Sequence, residues 1–419
     1  MSTRLIAVRT EPLQATVRPP GSKSLTIRSL FTAGLAVGTS RLRHPLDSGD
    51  TRVARGALRS LGSTVDESDE HWDVGGTGGI LTPSREPIDV GESGLTARIL
   101  TAVGALVPGT TRIVGQGRLP RRPMGGLIAA MAAMGVKVES ESGGLPLIVA
   151  GTGALGGGTV TVPSGSTSQF ATALLLVAPL ATDSLTIVVE DLQGSAGYLD
   201  LTLDVMQIFG ADVERSGQRL HVEPTGYQAA DLEIEPDASA AVYPMVAAAI
   251  RGGSVTVTGL TGSSRQPDIQ IIRVLAEMGC NIVQSEDATT IEASGRPLDP
   301  IEVDLSEMPD GALAVAVACL FADGSSRLDG LASLRHKESD RLQALVEQLK
   351  NVGGEARVEG DSLVISPGGL HPARVETYGD HRIAMSLALV GLVQPGIEID
   401  APGVVDKTWP GFWAMLDAL

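Results

Sequence analysis

Apolar positions along the 419-residue chain fall into two alternating patterns. The first is a run of small and apolar residues, a Gly or Asp turn, and then a β-like stretch. It occurs six times, as LFTAGLAVGTSRL, ILTAVGALVPGTTRI, ALLLVAPLATDSLTI, VAAAIRGGSVTV, VACLFADGSSRL and LVGLVQPGIEI. The turn residues Gly38, Gly109, Asp183, Gly253, Gly324 and Gly396 lie 71, 74, 70, 71 and 72 residues apart. The second pattern is an amphipathic stretch ending in glycine, followed by a short strand: ALRSLGSTV, AAMAAMGVKV, DVMQIFGADV, RVLAEMGCNI and LKNVGGEARV. Its glycines, Gly62, Gly135, Gly210, Gly279 and Gly353, are spaced by 73, 75, 69 and 74. Leu342, Leu345, Val346 and Leu349 show the helical period directly. A glycine just past such a helix suits a left-handed cap. Glycine after an apolar run is common in any α/β protein, but even spacing across both series makes coincidence a poor account. The chain reads as six related α/β units, each helix, strand, loop, helix and strand pair. It is long for a single core, so three units per domain is the simplest division.

The first helix of each unit begins with polar residues: GSKS (21–24), GESG (91–94), GSTSQ (165–169), PDAS (236–239), PDG (309–311) and YGDHR (378–382). GSKS is not a nucleotide P-loop, because Ser22 precedes Lys23 and VRPP occupies the place of the first glycine. Parallel helices would bring these starts onto one face per domain, where the helix dipoles attract anions. A second set of loops, GRLPRRP, LRHKESDR and VVDKTWP, supplies Arg118, Arg121, Arg122, Arg335, Lys337, Arg341 and Lys407. With Lys23, Arg28 and Arg382 these make a dense set of cations, suited to a ligand carrying several carboxylates or phosphates. Any one of these arginines could be a solvated surface charge, Arg121 and Arg335 especially. Asp310 and Glu338 stand among the cations and are candidates for proton transfer, with capping or ion pairing as the alternative.

The net charge is -17, so a nucleic-acid or acidic-membrane partner is not expected. The longest apolar runs, such as ALAVAVACLFA (312–322), have core-helix length, and the opening MSTRLIAVRTEP is too short in apolar residues for a signal peptide. Cys280 and Cys319 form no C-x-x-C pair, and the six histidines show no ligand spacing. Reduced thiols, no metal and a cytoplasmic location are the expectations.

PPGSKSLTIRSLFTAGLAVGTSRLRHPLDSGDT, GSTSQFATALL, GSAGYLDLTLDVM, LRHKESDRL, YGDHRIAM and DKTWPGFW resemble the 5-enolpyruvylshikimate-3-phosphate (EPSP) synthase family, nearly end to end. The resemblance implies a two-domain inside-out α/β barrel of six βαβαββ-type repeats. Residues 18–232 would form the first domain and 1–17 with 233–419 the second, closing like a clamshell with the active site in the cleft between them. It implies transfer of the enolpyruvyl group of phosphoenolpyruvate to the 5-hydroxyl of shikimate 3-phosphate, by a monomer without a cofactor. Shikimate 3-phosphate would meet Lys23, Ser24, Arg28, Thr167, Ser168, Gln169, Ser195, Tyr198, Asp310, Ser333 and Lys337. Phosphoenolpyruvate would meet Lys23, Gly94, Arg118, Gln169, Arg341, Arg382 and Lys407. Asp310, Glu338 and Lys23 would handle protons.

Three stretches depart from the family pattern. GESGLTAR carries Glu92 and Leu95 for Asn and Thr, Thr167 replaces a serine, and Ser333 stands where many relatives carry Asn. They bear on substrate affinity and on the response to glyphosate, the family's inhibitor. Glu92 is expected to turn from the ligand and to bond backbone N–H groups at its helix start or an arginine, with Arg98, Arg121 and Arg122 as candidates. Two rivals are a UDP-N-acetylglucosamine enolpyruvyl transferase and a non-catalytic phosphometabolite-binding relative. The first typically has Gly-Ser-Lys-Asn where Ser24 ends the motif here, and often a cysteine near 110–122. The second would not keep Lys23, Asp310, Glu338, Arg341 and Lys407 together.

Overall fold

The computed structural model describes residues 2–163, 167–190 and 196–419. Its α-helices are α1 (Lys23–Leu35), α2 (Gly49–Ser60), α3 (Gly94–Val103), α4 (Gly125–Ala133), α5 (Gln169–Val177), α6 (Ala196–Ile208), α7 (Ala238–Arg251), α8 (Ile271–Glu277), α9 (Ala312–Cys319), α10 (Arg341–Asn351), α11 (His381–Ala388) and α12 (Phe412–Ala418). The chain divides into a continuous unit, Gly21–Glu235, and a split unit, Met1–Pro20 with Pro236–Leu419. Each has its own apolar core.

One strand order recurs in the sheets. In the continuous unit Gly158–Val162 runs parallel to Leu185–Val189, which is antiparallel to Arg219–Val222, itself antiparallel to Val213–Ser216. The register sets Val160, Ile187 and Leu220 side by side on the buried face. A slip of one residue would turn all three to solvent. Ile88–Asp89, Pro108–Val114, Leu147–Thr152 and Lys137–Ser140 repeat the order. So do Asp231–Glu233, Thr39–Arg43, His71–Gly75 and Thr64–Glu67, where the parallel edge strand comes from the far end of the unit. The split unit has the same order in two four-stranded sheets, centred on Gly253–Thr258 and Ser326–Asp329. Leu13–Val17, from before the insertion, supplies the edge of the first. Its third sheet has three strands: Ala373–Val375 parallel to Ile397–Asp400, and Thr3–Leu5 antiparallel to it.

Helices α1, α3 and α5 of the continuous unit, and α7, α9 and α11 of the split unit, are buried on nearly every side. The sheets alternate buried and exposed residues around them, the reverse of an ordinary barrel. Small residues allow this crowding. A Cβ built on Gly34 of α1 would fall 2.6 Å from Leu58 Cδ2 of α2. Some buried hydroxyls are satisfied within their own helix, as where Thr32 donates to the Arg28 carbonyl and Thr101 to the Ala97 carbonyl. The second helices, α2, α4, α6, α8 and α10, are followed by Gly62, Gly135, Gly210, Gly279 and Gly353, all at positive φ. These are the left-handed caps that the spacing predicts. The polar starts likewise become N-caps of the central helices: Ser22, Ser93, Ser168, Asp237, Gly311 and Asp380.

Candidate functional site

In the continuous unit Ser22 caps α1, its Oγ accepting from Leu25 N–H, and so sets Lys23 and Ser24 in the first turn. Lys23 Nζ lies 3.5 Å from Oδ2 of Asp50, a buried residue in the first turn of α2. Arg28, 1% exposed, donates from Nε to Thr202 Oγ1 (2.8 Å), from Nη1 to the Ser24 carbonyl (3.0 Å) and from Nη2 to the Tyr198 carbonyl (3.2 Å) and Thr172 Oγ1 (3.5 Å). These acceptors are neutral, so burial lowers the guanidinium's proton affinity to about 10, with Tyr198 opposing weakly. One buried cation thereby ties together the first turns of α1, α5 and α6.

Thr167 and Ser168 lead into α5, where Gln169 N–H donates to Thr167 Oγ1 at 3.2 Å. Gln169 Oε1 accepts from Nη1 of Arg98, a buried α3 residue that also donates to the carbonyls of Gly94 (3.0 Å) and Pro123 (3.2 Å). Arg98 also lies 5.5 Å from the Phe170 ring centroid. Gly94 opens α3, and a Cβ there would fall 2.6 Å from Arg98 Nη1 and 2.7 Å from Arg122 Nη1. Its lack of a side chain lets two guanidiniums reach the helix start. Arg118 is exposed at the start of the 3-10 turn Leu119–Arg121. Ser195 lies outside the described residues.

Of the two partners expected for Glu92, the helix cap is corrected by the structure. Ser93 is the N-cap of α3, and Glu92 stands one residue before it, exposed. Its carboxylate lies over Gly117, where an added Cβ would meet Glu92 Oε1 at 1.7 Å.

The split unit gathers its candidates around Arg341, which is 1% exposed and opens α10. Arg341 meets Asp310 Oδ1 (2.9 Å), Glu338 Oε2 (2.9 Å) and both oxygens of Asp380 (2.8 and 3.1 Å). Lys337 Nζ is 3.5 Å from Asp310, Arg382 Nη2 is 2.9 Å from Asp310 Oδ2, and Lys407 Nζ is 3.8 Å from Glu338. Burial alone would make Arg341 a weaker base. Asp380, Glu338 and Asp310 reverse this and hold it well above the ordinary range. Arg382 behaves likewise, burial being outweighed chiefly by Asp310. Such a network orients charges and contributes little net stability. Ser333 sits in the 3-10 turn Ala332–His336 with its hydroxyl covered by protein.

Four participants are missing from the sequence-derived set. Asp380 caps α11 and accepts from Ser339 Oγ as well as from Arg341. Asp50 faces Lys23, Arg98 holds Gln169, and Asp268 accepts from Gly311 N–H beside Asp310. YGDHR and SGDT carry a visible signal, an Asp at a helix start, for Asp380 and Asp50. The pairings of Arg98 and Asp268 span 71 and 43 residues and leave no local trace.

Comparison with known proteins adds a separate line of support. Residues 8–416 match the family model described as EPSP synthase (3-phosphoshikimate 1-carboxyvinyltransferase). A 3-phosphoshikimate 1-carboxyvinyltransferase of Rhizobium leguminosarum bv. trifolii is 40% identical, over 98% of this chain and 95% of its own. One from Methanoculleus marisnigri is 36% identical over 97% of each. In fold, the chain is similar to an EPSP synthase from Acinetobacter baumannii, with a TM-score of 0.84 at 24% identity over 99% of this chain and 97% of the other. It is similar also to the enolpyruvyl transferase NikO from Streptomyces tendae, with a TM-score of 0.79 at 18% identity over 100% and 97%.

Proposed function

The chain belongs to the EPSP synthase family, and we propose from that premise how its own residues perform the family's reaction. The enzyme transfers the enolpyruvyl group of phosphoenolpyruvate to the 5-hydroxyl of shikimate 3-phosphate, giving 5-enolpyruvylshikimate 3-phosphate and phosphate. Lys23, Ser24, Arg28, Thr167, Ser168, Gln169, Ser195, Tyr198, Asp310, Ser333 and Lys337 bind shikimate 3-phosphate. Gly94, Arg118, Gln169, Arg341, Arg382 and Lys407, with Lys23, bind phosphoenolpyruvate. One chain supplies the whole set, which supports action as a monomer. Cys280 and Cys319 are free and buried, which suits a reducing cytoplasm.

Addition requires loss of the 5-hydroxyl proton and gain of a proton at the methylene carbon. Elimination then removes a proton from the new methyl group as phosphate departs. The observation that carries the assignment is that Asp310 and Glu338 share one buried guanidinium while each lies beside a lysine. An incoming phosphate or carboxylate competes for the same cations, which frees the two carboxylates for proton transfer next to the bound substrate. Cations already fixed in place stabilise the departing phosphate without reorganising.

The test is phosphate release that requires both shikimate 3-phosphate and phosphoenolpyruvate, with no added metal or nucleotide. Turnover with UDP-N-acetylglucosamine in place of shikimate 3-phosphate would overturn the acceptor assignment. Binding of both substrates without turnover would favour a non-catalytic relative.

A further inference from the structure

Asp268 is a buried carboxylate that the proposed reaction does not use. It sits in the 3-10 turn Pro267–Gln270 and is 1% exposed. Its Oδ1 accepts from Gly311 N–H at 2.7 Å, and its Oδ2 accepts from Ser239 Oγ at 2.5 Å. Gly311 is the N-cap of α9 and directly follows Asp310; Ser239 lies in the first turn of α7. The same turn makes a second clasp, since Gln266 Oε1 accepts from Ala238 N–H and Gln266 Nε2 donates to the Pro236 carbonyl. Asp268 is therefore bonded to the backbone that aims the Asp310 side chain.

The charges around it define an electrostatic problem. Lys337, Arg341 and Arg382 all lie within 3.5 Å of Asp310, and each favours its anion. A carboxylate held so firmly as an anion is a poor proton acceptor, because a general base works best with a proton affinity near the operating pH. We propose that Asp268 is a positioning residue for Asp310, fixing its backbone and supplying the negative charge that keeps it basic enough to accept a proton. The inference rests on the reading of Asp310 as a proton-transfer group.

Two hydrogen-bond donors, Arg382 and the starts of α7 and α9 favour the Asp268 anion. Burial, then the charge of Asp310, and also Asp237 at the α7 cap, oppose it and hold the carboxyl above its usual range. Coupling between the two carboxylates is reciprocal, so whatever Asp310 does to Asp268, Asp268 does to Asp310. Tyr243 faces Arg382 from α7 and, with its hydroxyl kept neutral by burial, adds no competing charge.

Asp268→Asn keeps an acceptor for Gly311 N–H and a group for Ser239 while removing the charge. The acid limb of the kcat–pH profile at saturating substrates should move down by about one pH unit, with reduced kcat on the plateau. Ser239→Ala withdraws a neutral donor and leaves the Asp268 charge less compensated, so it should move the limb slightly the other way, and it serves if Asp268→Asn does not fold. A limb that stays in place in a folded variant, whatever happens to kcat, would reduce Asp268 to a structural clasp and overturn the inference. Asp310→Asn is measured alongside. Near-normal kcat there would instead remove the reading of Asp310, and this inference with it.

Discussion

Replacing Asp380 tests whether the Arg341 network is held by one carboxylate or shared among three. Asp380 is fully buried and accepts four hydrogen bonds: from Arg382 N–H (2.9 Å), Ser339 Oγ (3.0 Å), Arg341 Nε (2.8 Å) and Arg341 Nη2 (3.1 Å). Asp380→Ala removes a helix cap, costing about 1 kcal/mol. It also breaks a buried ion pair, which costs about 3–5 kcal/mol when the remaining charge is stranded. Arg341 is not stranded, because Asp310 and Glu338 stay within 2.9 Å, so the total should sit near the low end of that range. About 3 kcal/mol in a domain of roughly 200 residues lowers Tm by about 6–12 °C. Calorimetry reads this directly. Asp380→Asn can still cap α11 and should lose less, so the difference between the two variants separates cap from charge. A fall of less than about 2 °C for Asp380→Ala would show that the other two carboxylates suffice and would refute the argument.

Glu338→Gln preserves shape and removes a proton carrier, so kcat should fall roughly 100-fold or more in the phosphate-release assay; near-normal kcat would make Glu338 structural. Gly94→Ala places a Cβ 2.6 Å from Arg98 Nη1, so the KM for phosphoenolpyruvate should rise more than kcat falls, and unchanged steady-state kinetics would count against Gly94 as a contact. Burial pushes the Cys280 thiol up to about 11 and Cys319 up to about 12. At pH 8 the thiolate is then roughly one part in 10³ or less, so a disulfide reagent should label the folded protein far more slowly than the unfolded chain. Both thiols deprotonate first in the unfolded chain. Their contribution to stability is therefore full below about pH 8.5 and is lost as pH rises through 11 and 12.

Much of this architecture is legible because the repeat is written in residues with backbone consequences. Glycines at fixed spacing mark where φ must turn positive, and Ser or Asp before an apolar run marks a helix start. The count is informative as well. The second series has five members against six in the first. In the sixth unit the second helix, α12, is followed by no hairpin among the described residues, and Thr3–Leu5 pairs with the Ile397–Asp400 strand instead. The partners of that strand, and of Leu13–Val17 and Asp231–Glu233, could not be read, because sheet edges are shared between units far apart in sequence. In the site, cations were visible as a cluster but their counter-charges were not. Arg341 declares a charge locally, while Asp380 becomes its partner only through the packing of α10 against α11. The cap expected at Glu92 failed for a related reason, since one residue of register separates a cap from the position before it.

The strand Thr3–Leu5 has a consequence for how the protein is made. It pairs with Ile397–Asp400, and Arg4 and Arg9 reach Asp417 and the last turn of α12. A ribosome adding about 5–20 residues per second needs roughly 20–80 s to cover that separation. Throughout that time the first strand has no partner, while Gly21–Glu235 emerges as an uninterrupted stretch with its sheets and core complete. Translation therefore delivers one finished unit with the beginning of another waiting on its flank. The Arg341 network, drawn from residues 310–382, can assemble only near the end of synthesis.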